Sequence, residues 1–538
     1  MKLAGKEDIS ITPQLIGQKG ELIPKPVPQN FEYITLSKDK PTVIRPSDFR
    51  IGRVESGFSG EPPDVFLYIN ASSVAGDGPT TQALQASEGL KRIAQYLGKP
   101  IYYVGPDYNG SDIAESDWTG SLPDQLTSIP SNSASIQEKY DDVTNGLIET
   151  VNILGQKGVK KIIAVSTGYT GFVPYGFKEA LVIANKNGFN INAKLIIQDS
   201  SLPDTDKPSE ILDKINGHPI DRFYPKSYES DENLEVWLIT NNWLDFNIKW
   251  VRNRAPKGTL SASSSFPFTP EYIRRWQQWR QVSKEEAREK LIALTASKNP
   301  QFAQGLLTED AVFIPLIASS GYFNPDSIGK WMTEDQFNDV ITGSRTLVNS
   351  LLLTSDKVKR PIILSGVENF VNYINSLRIP YVEELGDHKN SGKVLLVRAP
   401  RFPQSEYGLY HRAADVSIHR TTQANTSAEG VIAGVPQIIL TMPGNGYMDT
   451  QKMDKGAYIR GLRQYEVGVS PEKLADRITG IINDPGESAS LVDLADTYFL
   501  QEHMNPGTNF FSVVGHISGI PIPGFPNENT VFKSNHSK

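Results

Sequence analysis

"ADVSIHRTTQANTSAEGVIAGVPQIILTMP", residues 414–443, decides how the rest of the chain is read. Val416 to His419 alternate in the manner of a short buried strand, and a run of small hydroxyl and amide residues follows. "NTSAEGVIAG" then opens a helix, Gly434-Val435-Pro436 turns a corner, and "QIILTMP" is a second strand. A strand, loop, helix, strand unit of this kind belongs to a parallel sheet. Its loop, Thr421 to Ser427, falls where unpaired backbone N–H groups and the positive end of a helix dipole point outward. Such a place suits a phosphate, and Thr422, Asn425, Thr426 and Ser427 add donors with little bulk. Glu429 follows about half a turn further on, where its carboxylate can accept from both vicinal hydroxyls of a ribose. Taken singly, Ser, Thr and Asn before a helix are also ordinary capping residues, and Glu429 is also an ordinary helix residue.

The same unit recurs outward from this stretch in both directions. "DVFLYINAS" from Asp64 is an apolar strand, "GDGPTTQ" a turn, and Ala83, Ala86, Leu90, Ile93 and Leu97 recur at helical spacing before the strand "KPIYYVGPD". Strands "VKKIIAVSTG", "AKLIIQD" and "LEVWLITNN" alternate with helical segments to about residue 250. Residues 269–300 read as a long amphipathic helical region at a domain junction. A second series runs through "AVFIPLIASSGYFN", "KRPIILSG", "GKVLLVRAP", "ADVSIHR" and "PQIILTMP". It closes on a helix capped by Ser470 and Pro471, with Leu474, Ile478 and Ile481 on its inner face.

These readings divide the chain into an N-terminal extension (1–60), a Rossmann-like domain (61–302), a second Rossmann-like domain (303–484), and a short helix with an irregular tail (485–538) that packs back on the first domain. The expected fold class is α/β, with ligands in a cleft between the carboxyl ends of the two strand sets.

Composition narrows the partners. The chain has 538 residues, too many for one core, with 38% hydrophobic and 21% charged residues. A net charge of -7 argues against an extended nucleic-acid footprint. The absence of cysteine removes disulfides, thiolate nucleophiles and Cys-ligated zinc. No apolar run approaches the roughly 20 residues of a membrane span, and the start reads as no signal peptide. A cytoplasmic enzyme is the plain expectation, and a protein exported by a dedicated machine reads the same. The seven histidines lack metal-ligand spacing. Asp204-x-Asp206 sits in a Pro-rich loop and is assigned to solvent, and "GNGYMD" lacks the third glycine of a dinucleotide fingerprint.

Over residues 410–457 the order of motifs resembles the donor region of GT-B glycosyltransferases, especially the UDP-glycosyltransferase and MurG-like groups. The resemblance implies that His419 with Asn425, Thr426 and Ser427 holds a diphosphate, Glu429 the ribose, and Asp449 with Gln451 the transferred sugar. It implies further that Ser319, Ser320 and Gly321, in the first loop of the second domain, approach the same phosphates. Where those groups carry two glycines after the His, this chain has Arg420 and Thr421, so a side-chain cation replaces part of the backbone approach. In the first domain Asp77 follows Gly76 in the glycine loop, at the position of the family's catalytic base; an Asp-Gly turn is its ordinary alternative. The implied activity is inverting, metal-independent transfer of a sugar from a nucleoside diphosphate to an unidentified acceptor (small molecule, glycan, lipid or protein), with no cofactor. A nucleotide-sugar 2-epimerase and a non-catalytic nucleotide-sugar binder are the alternatives on the same scaffold.

Overall fold

The computed structural model describes residues 33–36, 41–44, 62–70, 77–106, 125–129, 136–168, 173–199, 214–215, 218–219, 230–241, 260–317, 323–328, 334–386, 392–400, 402, 404–420, 429–441, 463–466, 470–489, 491–492 and 509–519. Two minor antiparallel pairs, β1 (Tyr33–Leu36) with β2 (Pro41–Ile44) and β8 (Lys214–Ile215) with β9 (His218–Pro219), form separate two-stranded sheets.

The first main sheet contains β3 (Val65–Ile69), β4 (Ile101–Pro106), β5 (Gln125–Ile129), β6 (Lys161–Gly168), β7 (Asn192–Asp199), β10 (Leu234–Asn241) and β11 (Leu260–Ser264). Its order is β11-β10-β7-β6-β3-β4-β5, all parallel. The second comprises β12 (Val312–Ile317), β13 (Ile362–Gly366), β14 (Val382–Glu384), β15 (Val394–Arg398), β16 (Ser417–Arg420), β17 (Gln437–Thr441) and β18 (Arg463–Glu466). Here the order is β14-β15-β13-β12-β16-β17-β18, again all parallel. Setting aside the edge strand β14, both sheets start at a central strand, fill one side, and cross back to fill the other. That is the doubly wound Rossmann pattern, twice, as the sequence predicts. Parallel strands are covered on both faces, so β3, β12 and β13 are buried at every position and read as continuous apolar runs.

Helices cover the sheets. Around the first lie α1 (Asp77–Tyr96), α2 (Ile136–Gln156) and α3 (Val173–Lys186). Ala83, Ala86, Leu90 and Ile93 of α1 are buried as their spacing predicts. The junction region is less simple than its amphipathic pattern suggests. It divides into α4 (Pro270–Gln278), a 3-10 turn (Trp279–Gln281) and α5 (Lys284–Thr295), followed by α6 (Pro300–Leu306). Ser283 makes the break: its hydroxyl accepts from the Glu286 amide and starts a new helix. Phe266, Phe268, Tyr272, Ile273, Trp276 and Phe302 share one core with Phe313, Leu395, Tyr410 and Val431. Packing therefore groups 266–306 with the second sheet. Other helices of that half are α7 (Glu334–Val358), α8 (Glu368–Ser376), α9 (Gln404–Arg412) and α10 (Pro471–Asn483), with shorter helical pieces at 429–432 and 485–489. Ser470 caps α10, and Leu474, Ile478 and Ile481 are buried beneath it.

The last helix corrects the sequence reading. Residues read there as part of an irregular tail form α11 (Phe510–Ser518). Phe510, Phe511, Val513, Val514 and Ile517 join Phe66, Tyr68 and Trp237 in the first domain's core. Phe510, Val513, Val514 and Ile517 recur at helical spacing, but the segment is only nine residues long and lies beside a Gly- and Pro-rich tail. Gly89 of α1 permits the contact, since a Cβ there would lie 2.1 Å from the Phe511 ring. Buried Lys194 donates to the carbonyl of Ile517 at 2.8 Å, tying down the helix end. Desolvation pushes that ammonium's pKa down, partly offset by Glu235 at 3.2 Å.

Asp415 fastens the connector to the second sheet. Its carboxylate takes Lys284 at 2.6 Å, Arg288 at 2.7 Å and the Phe313 amide at 2.7 Å, and is itself 6% exposed. Removing a nearly buried carboxylate strands two cations and one amide, so Asp415→Ala is expected to cost about 3 kcal/mol. A denaturant titration followed by tryptophan fluorescence, which reports Trp276 and Trp279 beside this junction, measures that loss as an earlier midpoint.

Candidate functional site

In a doubly wound sheet the crevice opens where neighbouring strands lead their helices to opposite faces. In the second sheet that point lies between β12 and β16, whose register pairs Leu316 with Ile418 and Ile317 with His419. The chain therefore leaves β12 and β16 side by side. Ser319 and Ser320 begin two residues beyond Ile317, and residues 421–428 begin directly beyond Arg420. Two segments about 100 residues apart in sequence start from adjacent strand ends. Ser319, Ser320, Gly321, Asn425, Thr426, Ser427, Asp449 and Gln451 themselves lie outside the described residues, and Arg420 is described only as the last residue of β16.

Beyond the loop, residues 429–432 form a helical turn. It ends as the Gly-Val-Pro corner predicts. Gly434 has φ +70°, its amide donates to Val431 at 2.9 Å, and the Val435 amide donates to Gly430 at 3.1 Å. Arg280 from the connector closes the same end, its Nη2 donating to the Val431 carbonyl at 2.6 Å and its Nε to that of Ile432 at 2.5 Å. At the other end of the turn, the Tyr272 hydroxyl donates to Glu429 Oε1. Glu429 is 5% exposed. Nothing in the sequence around Tyr272 marks it for this contact, because its partner is 157 residues away.

His419 lies at the end of β16, packed against α9. Its ring is fully buried, stacks on His411 of α9 at 5.5 Å and 13°, and shares a hydrogen bond with Ser417 Oγ at 2.8 Å through Nε2. His411 in turn meets the edges of Tyr407 and Trp276. As placed, the pair packs beneath the strand end.

The first sheet has a matching switch point between β3 and β6, where Ile69 pairs with Ser166. Its floor is polar and buried: Ser166 donates to the Ile69 carbonyl at 2.8 Å, Tyr68 Oη meets Thr167 Oγ1 at 2.7 Å, and Asn70 donates to Tyr103 Oη at 3.1 Å. Asp77 is the first residue of α1, the helix that follows β3; its side chain is outside the described residues. Gln85 of α1 and Thr269, the N-cap of α4, join by side chains at 2.7 Å. Among the described residues, no cluster of three His, Cys, Asp or Glu forms a metal site, and no helix is long and apolar enough to cross a membrane.

No protein-family model matches the chain, and no curated protein sequence matches it. Among solved structures it is similar to Arabidopsis thaliana UGT89C1 complexed with quercetin, with 12% identity over 85% of this chain and 99% of that one, at a TM-score of 0.46. It is similar also to Acinetobacter baumannii MurG (11% identity, 81% and 95% covered, TM-score 0.38). The UDP-GlcNAc 2-epimerase of Methanocaldococcus jannaschii matches to a like extent (11%, 80% and 97%, TM-score 0.40).

The buried histidines have a measurable consequence. Burial pushes the His411 imidazole down to about 3, and burial together with the neighbouring His411 holds His419 well below its ordinary value. In the unfolded chain both titrate near 6.5. Between those values the unfolded state binds more protons than the folded one, so stability is complete above about pH 6.5 and declines as the pH falls. Each ring contributes a slope of up to about 1.4 kcal/mol per pH unit. Denaturant midpoints at pH 7.5 and pH 5.0 are expected to differ more in the wild type than in His411→Leu; equal differences would remove the pair as the cause.

Proposed function

We propose that the protein is a glycosyltransferase that moves a sugar from a nucleoside diphosphate to a nucleophilic acceptor, inverting the anomeric centre without a metal ion. The observation that supports this best is the β12–β16 register. It starts the two segments that resemble a diphosphate cradle from adjacent strands at the switch point of a Rossmann-like sheet. In this reading Ser319, Ser320 and Gly321 face the phosphates from one side. Arg420, Asn425, Thr426 and Ser427 face them from the other, with His419 packed underneath. Glu429 accepts from the ribose hydroxyls, and Asp449 and Gln451 receive the sugar. The negative charge that grows on the diphosphate as its bond to the anomeric carbon breaks is met by oriented amides and by Arg420, which supply the stabilisation a cation otherwise would.

Asp77 is the general base. It opens α1 beyond the switch point of the first sheet and takes the proton from the acceptor as that atom attacks the anomeric carbon. One displacement of this kind inverts the centre once. The acceptor belongs to the first domain and the donor to the second.

Incubation with a panel of nucleotide sugars tests the reading: transfer yields free nucleoside diphosphate and a glycosylated acceptor, whereas an isomerised sugar or binding without turnover contradicts it. Asp77→Asn keeps shape but takes no proton, so turnover is expected to fall by about 10²- to 10⁴-fold with donor affinity nearly unchanged. A near-normal rate in a stable Asp77→Asn, or a product retaining the donor's configuration by NMR, would overturn the assignment. Glu429→Ala is expected to weaken nucleoside diphosphate binding by about 1.5–3 kcal/mol, as loss of a charged hydrogen-bonded contact does. Isothermal calorimetry measures it.

A further inference from the structure

The connector between the two sheets grips the helical turn that carries Glu429 at both ends. Arg280 of the 3-10 turn after α4 holds the carbonyls of Val431 and Ile432. Tyr272, in the first turn of α4, holds the Glu429 carboxylate through its hydroxyl. The Tyr272 ring is fixed independently of that bond. It lies between Phe268, at 4.9 Å, and Trp276, at 6.0 Å, and is 2% exposed. Its amide donates to Thr269 Oγ1 at 3.2 Å, and Thr269 Oγ1 also meets Gln85 of α1 at 2.7 Å. A carboxylate on the first turn of a short helix has several staggered rotamers open to it. A hydroxyl delivered from a rigid aromatic stack selects among them.

We propose that Tyr272 is a positioning residue for nucleotide binding: its hydroxyl holds one oxygen of Glu429 and so directs the carboxylate toward the vicinal hydroxyls of a ribose. The inference rests on the donor-site reading of Glu429. The ligand class it selects is a ribonucleoside diphosphate over its 2′-deoxy counterpart, because only the ribose offers both hydroxyls to one carboxylate. The connector reaches both domains through Tyr272 and through the Thr269–Gln85 bond, so the residue that orients the donor's carboxylate belongs to neither loop set.

Tyr272→Phe removes the hydroxyl and keeps the ring in its stack, and thermal melts establish that the fold is retained. Calorimetry with UDP, GDP, ADP and CDP on the full chain finds the tightest-binding nucleotide, which is then compared with its 2′-deoxy form. Tyr272→Phe is expected to weaken the ribonucleotide about tenfold while affecting the 2′-deoxy form much less, so the preference between them shrinks. In a Glu429→Ala background Tyr272→Phe is expected to add nothing further. A structural role alone weakens both nucleotides equally and persists in the Glu429→Ala background, and either result overturns the proposal. If Glu429→Ala loses the ribose preference and Tyr272→Phe keeps it, Glu429 is the ribose ligand and Tyr272 does not position it. If Glu429→Ala leaves every affinity unchanged, or none of the four nucleotides binds, the donor-site reading itself fails and the proposal falls with it.

Discussion

The candidate site depends on the pairing of β12 with β16, in which Ile317 lies beside His419. A parallel sheet needs a crossover for every strand, and the chain between these two strands passes through β13, β14 and β15 before returning. The crossing places two loops from distant parts of the sequence at one edge. Leu316 and Ile418 are buried in one core and Ile317 in the core on the other face, so slipping the register by one residue sends each side chain into the wrong packed layer, and packing on both faces fixes the alignment. The site is thus a by-product of closing the sheet.

The connector adds a second level of constraint. Trp276 and Tyr272 are buried among residues of the second sheet's helices, and Trp279 packs where Gly408 leaves room, since a Cβ there would lie 2.0 Å from the indole. Asp415, Arg280 and Arg412 then hold the connector by ionic and main-chain bonds: Arg412 donates to the Val282 carbonyl at 2.7 Å and to that of Gly434 at 3.2 Å. Apolar packing sets where these helices lie, and the cations, each satisfied by carbonyls or a carboxylate, set their rotation. Glu429 is held by this assembly and is buried by it.

The paired rings of His411 and His419 mark a cost within that arrangement. Both nitrogens of His411 and Nδ1 of His419 have no hydrogen-bond partner among the described residues. Buried polar atoms without partners lower stability, and here they lie directly below the strand end that leads into the candidate phosphate loop. The family resemblance implies His419 as a diphosphate ligand. The strand's period of two sends its ring into the layer between sheet and helix.

Much of the fold was legible in local pattern. "DVFLYINAS" and "AVFIPLIASS" read as buried strands because both faces of a parallel sheet demand apolar residues, and Ser470-Pro471 announced a helix start through chemistry confined to one turn. Strands without that texture were missed, among them "LSASS" at β11, which is small and polar, and "VEE" at β14, a half-buried edge. The helix at 510–518 was missed because its helical spacing spans only nine residues beside a Gly- and Pro-rich tail. Within the site, the strand, the Gly434 corner and the turn bearing Glu429 followed from residue types in order. The sequence by itself thus determined two series of parallel-strand units and the order of small, acidic and glycine residues at one strand end, since these depend on neighbours a few residues apart. Only the tertiary structure decided that Tyr272 meets Glu429, that His419 stacks on His411, and that the loops after β12 and β16 start together, because each contact joins residues brought near solely by burying the surfaces between them.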